Sequence, residues 1–97
     1  MTDRLTANAL TPHVGKVFRP LGQPHVLTLV SVDTRQPPGW EHAPSPTFTL
    51  LLRGSRDDIL PEGYYVFAIE GGHEADFYIV PIQTISREHQ DYQAIFN

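Results

Sequence analysis

The stretch TFTLLLRG, residues 47–54, sets Phe48, Leu50 and Leu52 on one parity and Thr47, Thr49 and Arg53 on the other. Side chains alternate across a strand with period two, so this segment reads as a strand buried on one face and wetted on the other. Further short apolar segments, HVLTLVSVDT, GYYVFAIE, HEADFYIVP and DYQAIFN, follow the same plan between Gly, Pro and Asp turns. That succession predicts a mainly β protein, a small antiparallel barrel or sandwich of about six strands. Ahead of it, DRLTANAL places Leu5 and Leu10 on one face of a short N-terminal helix, with Thr2 or Asp3 as cap and Pro12 as its end.

Individual segments carry finer expectations. In HVLTLVSVDT, Val26, Val30 and Val32 share a parity while Leu27 and Leu29 fill the other, so the first half looks covered on both sides. Gly54 ends the TFTLLLRG strand, and SRDDILPEG crosses to the next with Leu60 and Ile59 as apolar plugs. Gly71 and Gly72 suit a two-residue type I′ turn that sets Glu70 opposite His73. Counted outward, that register pairs Val66 with Phe77 on the inner face and Tyr65 with Tyr78 on the outer, where Phe67 also lies. IQTISREHQ reads as a connection anchored by Ile82 and Ile85, and Tyr92, Ala94 and Phe96 share a face of the last strand.

With 97 residues the chain forms a single all-β domain, residues 1–97, able to bury about 65% of the surface its unfolded form exposes. Seven Lys plus Arg against eleven Asp plus Glu give a net charge of −4, and no basic run offers the counterion release on which nucleic-acid binding depends. Cysteine is absent, which excludes a disulfide framework, a thiolate metal site and a cysteine nucleophile together. The opening MTDRLTANALTPHVG lacks the basic and apolar regions of a secretory signal, so synthesis in the cytoplasm is expected. No window approaches 18 apolar residues, and membrane insertion is not expected.

Five histidines, at 13, 25, 42, 73 and 89, show no metal-ligand spacing. His13 is expected to pack near the helix end and the others to lie on the surface. The loop SRDD lacks the spacings of calcium and phosphate loops, and Asp57 or Asp58 is expected to cap a turn. No G-x-S-x-G motif is present, and the reading is a protein without catalytic, metal or cofactor residues. Residues 36–47, QPPGWEHAPSPT, hold four prolines and the sole tryptophan. Trp40 there either closes the core, the favoured role, or joins His42 in presenting area to a partner. Tyr65, Phe67 and Tyr78 face the same choice and complete the candidate contact set. A different reading puts a small-ligand or hydrolytic site at the barrel mouth, built from Trp40, His42, Arg53, Arg56, Asp57 and Asp58.

The blocks LTPHVGKVFR, FTLLLRGSRDDILPEGYY, DFYIVPI and YQAIFN resemble, in order, those of a small uncharacterised bacterial family of unknown function. The family's marks fall on Pro12, His13, Gly15, Phe18, Phe48, Gly54, Leu60, Pro61, Gly63, Tyr65, Val80, Pro81, Tyr92, Phe96 and Asn97. Ser55, Glu62 and Gln93 stand where the family carries proline, glutamine and glutamate, which argues against a fixed catalytic role for positions 62 and 93. The resemblance implies a structural or assembly role, since such members occur alongside small tail-collar proteins of phage-like particles. Its partner would be another protein or a second copy of the chain.

Overall fold

The computed structural model describes residues 7–35, 47–84 and 86–96. A single helical turn, α1 (Ala7–Leu10), runs into a 3-10 turn (Thr11–His13), followed by six strands: β1 (Val17–Pro20), β2 (Leu27–Arg35), β3 (Thr47–Ser55), β4 (Gly63–Ile69), β5 (His73–Pro81) and β6 (His89–Phe96). All neighbours are antiparallel, and the order β1-β2-β3-β6-β5-β4 closes into a barrel, as the segment pattern predicts. The strand that no periodicity announces is β1, whose four residues end on a proline.

Pairing around the barrel is uneven. The β3–β6 ladder runs unbroken from Phe48↔Phe96 to Ser55↔His89, and β2 follows β3 from Thr28↔Arg53 to Arg35↔Thr47. On the other side β4 pairs with β5 from Gly63↔Ile79 to Ile69↔His73, and with β1 from Phe18↔Ile69 to Pro20↔Phe67. These two three-stranded sheets meet at narrow seams, Val17↔Thr28 with Phe18↔Leu27, and Val80↔Gln93 with Pro81↔Tyr92. The barrel is therefore close to a sandwich. Leu27, Leu29, Leu50, Leu52 and Tyr92 from one sheet meet Phe18, Phe67, Phe77 and Ile79 from the other, and all are buried. Each such side chain contributes about 1.5 to 3 kcal/mol on full burial. Leu10 of α1 and Leu60 of the β3–β4 crossing join this core, whereas Ile59 stays exposed.

Local devices depart from the simplest reading in ways that set which residues face inward. In β2 the register shifts between Leu29 and Ser31: Leu29 opposes Leu52 but Val32 opposes Leu50. The extra residue exchanges the faces, so odd positions point inward before the bulge and even ones after it. Apparent coverage of β2 on both sides is thus one buried face that changes parity.

The β4–β5 turn corrects the expected hairpin register. Its loop is Glu70-Gly71-Gly72, with φ of 105° and 96° at the glycines, and it pairs Ile69 with His73. The Glu70 N–H donates to the Val17 carbonyl of β1 (2.9 Å), which takes Glu70 out of the hairpin ladder. A three-residue loop shifts β4 by one residue and turns its faces over. Tyr65 opposes Phe77, Val66 opposes Asp76, and Phe67 is fully buried. The inward side of β5, Ala75, Phe77 and Ile79, is as expected.

Gly54 does not end β3, which runs on to Ser55. A Cβ at this inward position would meet Leu27 Cδ2 at 2.5 Å, with Tyr92 Cε1 at 3.6 Å, so the glycine leaves room for two core side chains. Pro12 lies just past the end of α1, as expected. It sits at the start of the 3-10 turn, where its missing N–H removes no bond.

Candidate functional site

The one-residue shift in β4 decides which aromatic residues reach the surface. Tyr64 and Tyr78 are directly opposite one another on the outer wall, with Val66, Val80 and Ile95 on the same outward face, and all five are exposed. Each tyrosine hydroxyl donates to a carboxylate: Tyr64 to Asp76, and Tyr78 to Glu62 at 2.6 Å. Those hydrogen bonds, followed by partial desolvation, hold both phenols above the ordinary tyrosine pKa. The rings are fixed at their tips while their faces remain open, which lowers the side-chain entropy lost when a partner covers them.

Of the contact set expected from sequence, Tyr78 lies on this face. Phe67 is in the core, stacked on Phe77 (4.5 Å between centroids), and Tyr65 is half-buried with its hydroxyl donating to the Pro61 carbonyl (2.8 Å). Both leave the outer face because of the longer turn. Trp40 and His42, and with them the core-closing role for Trp40, lie outside the described residues. Tyr64 and Ile95 were not singled out. The signal for Tyr64 is Tyr65, a position the resemblance marks, since an inward residue 65 requires an outward residue 64, and the signal for Ile95 is its place between Ala94 and Phe96.

Of the groups proposed for a site at the barrel mouth, the four that are described, Arg53, Arg56, Asp57 and Asp58, separate. Arg53 donates to both carboxylate oxygens of its ladder partner Asp91 (2.9 and 3.4 Å). Arg56 reaches the carbonyls of Thr84 and Ser86 and the side chain of Gln90, each at 3.4 Å. Asp57 is exposed, and the turn is capped by the Ser55 hydroxyl, which accepts the Asp57 N–H (3.2 Å), rather than by an aspartate. Asp58 turns elsewhere, toward His25, with 3.2 Å between Oδ1 and Nε2.

His25 contradicts the expectation of a surface histidine, for its side chain is only 9% exposed. Pro24 delivers it just before β2, where it lies beneath the 55–58 turn. His13 does pack at the end of the helical segment, its ring 5.1 Å from that of His73. Burial, with smaller contributions from Lys16 and His73, lowers its pKa. Among the described residues no three of His, Cys, Asp or Glu gather closely enough to hold a metal ion. No helix among them is long and apolar enough to cross a membrane.

A six-stranded antiparallel barrel with one aromatic outer wall thus defines the class, and the family follows from comparison. The chain belongs to the family described as domain of unknown function (DUF6916), which matches it over residues 5–96. Comparison with curated proteins and with solved structures found no significant match.

Proposed function

We propose that this domain is a non-enzymatic protein-interaction or assembly module whose contact surface is the outer face of β4, β5 and β6. The observation that carries the reading is the Tyr64–Tyr78 pair, exposed beside Val66, Val80 and Ile95 and tethered to Asp76 and Glu62. Rigid amphipathic rings with an aliphatic surround and a carboxylate rim have the composition of an interaction hot spot. Incorporation into a phage-tail-like particle, following synthesis in the cytoplasm, is the setting we propose from the family resemblance.

Light scattering of the purified protein, alone and mixed with the products of neighbouring genes, tests this. The expected result is a defined complex that Tyr78→Glu weakens by about 2 kcal/mol, some thirty-fold in Kd. A strictly monomeric protein that recovers no partner, or a complex indifferent to Tyr78→Glu and Ile95→Asp together, overturns it.

A further inference from the structure

A recess of about 210 Å³ lies between the approach to β2 and the turn after β3, lined by Pro24, His25, Val26, Leu27, Ser55 and Asp58. It uses none of the residues of the tyrosine face. Both ring nitrogens of His25 are buried without a hydrogen-bond partner. Asp58 Oδ1 is near enough to Nε2 for an ion pair, but the two are not aligned for a hydrogen bond. A buried polar side chain left unpaired carries a free-energy cost of about 1 to 3 kcal/mol, which a ligand in the recess can relieve.

The chemistry of the lining selects the ligand. The Asp58 carboxylate is an acceptor only, is 66% exposed at the mouth, and has no Lys or Arg beside it among the described residues, because Arg53 and Arg56 are both turned toward β6 and the segment before it. The Ser55 hydroxyl and the imidazole add further hydrogen-bonding capacity, while Pro24, Val26 and Leu27 supply an apolar wall. The volume suits a group of several heavy atoms rather than one water. A metal ion is the poorer occupant, since no third His, Asp or Glu stands with this pair among the described residues. We infer that the recess binds a compact N–H-donating cation, a guanidinium or primary ammonium group whose short apolar stem lies along Leu27 and Val26. Such a group satisfies Asp58 by charge-assisted hydrogen bonds and directs a remaining N–H toward His25. It comes either from a free small molecule or from a basic side chain of a partner polypeptide.

The experiment is an NMR titration of isotope-labelled full-length protein with methylguanidinium chloride, with tetramethylammonium chloride as the cation that has no N–H. Methylguanidinium is expected to shift the His25 ring signals and the Ser55 and Asp58 amides saturably, with Kd raised about ten-fold in Asp58→Asn. A blocked tripeptide with central arginine distinguishes the sources: tighter binding than methylguanidinium assigns a partner's side chain, and equal or weaker binding a free ligand. No saturable shift at His25, the same shifts with tetramethylammonium, or undiminished binding by Asp58→Asn overturns the inference. Because Asp58 is exposed, that variant folds, and the result is independent of whether the tyrosine face binds anything.

Discussion

The sheet of β2, β3 and β6 and the sheet of β1, β4 and β5 enclose one core but achieve cohesion differently. The first has the two longest ladders, one of them interrupted by the β2 bulge, and an inner face on which Leu27, Leu29, Leu50 and Leu52 outnumber the rings, with Phe48 stacked on Phe96 (4.4 Å) beside them. The second packs through rings: Phe67 stacks on Phe77, and Phe18 leans on both at 6.3 and 6.4 Å. Where they join at β5 and β6 the backbone contributes little beyond Val80↔Gln93, Pro81↔Tyr92 and the Ile82 N–H donated to Asp91 (3.0 Å). Side chains complete that seam. The buried Gln90 amide donates to the carbonyls of Ile82 (2.7 Å) and Asp91 (3.0 Å), and the Phe77 ring meets Phe96 edge-on at 5.8 Å. One sheet is held along its backbone, and the other is docked against it by side-chain packing.

Tyr92 belongs to both arrangements, opposite Leu52 on one side and Pro81 on the other, and its buried hydroxyl accepts the Leu60 N–H (2.8 Å). Tyr92→Ala should therefore show the largest effect, about 3 to 5 kcal/mol in urea unfolding. Tyr92→Phe keeps the ring but strands the Leu60 N–H, a loss of about 1 to 3 kcal/mol, with amide exchange quickening along β5 before β3. A loss spread evenly over both sheets would break the comparison.

Gly54→Ala probes the ladder side. The added methyl must displace the buried Leu27, and the expected loss is about 1 to 3 kcal/mol, read as a lower Tm. An unchanged Tm would mean that the leucine wall is slack where the ladder holds it tightest.

The smallest effect is a pH dependence beyond the second sheet, where the 3-10 turn meets the β4–β5 turn through His13 and His73. His13 titrates below its ordinary 6.5 in the folded protein, so the unfolded chain binds the proton more readily. Its contribution to stability is complete above 6.5 and is lost as pH falls from there toward the lowered value. Thermal unfolding at about pH 7 and about pH 5 should show this fall, abolished by His13→Gln. Because burial is the leading cause, His73→Gln should reduce it only in part.

The β3–β6 pair was largely legible in the sequence. Residues 48–53 alternate cleanly between the core and the more open outer face, and Tyr92, Ala94 and Phe96 follow the same rule. Elsewhere single-residue geometry intervened. The β2 bulge and the Glu70-Gly71-Gly72 loop each move a strand by one position, and strand periodicity carries no record of where the count restarts. On β4 the count from the glycine turn places Tyr65 and Phe67 outward where Tyr64 and Val66 stand, because Tyr65 and Phe67 are as apolar as Tyr64 and Val66 and only the turn length separates them. His25 was illegible for another reason. Its burial depends on the 55–58 turn folding over it from about thirty residues away, a non-local closure that no local pattern encodes.

The narrow β5–β6 seam also makes the barrel mechanically anisotropic. A load drawn along β3 against β6 must shear an entire ladder at once, whereas a load that parts β5 from β6 peels a short run of backbone bonds one after another and then meets only side chains. Single-molecule pulling through the two directions should accordingly give two different rupture forces from the same folded domain, set by the attachment points rather than by its equilibrium stability.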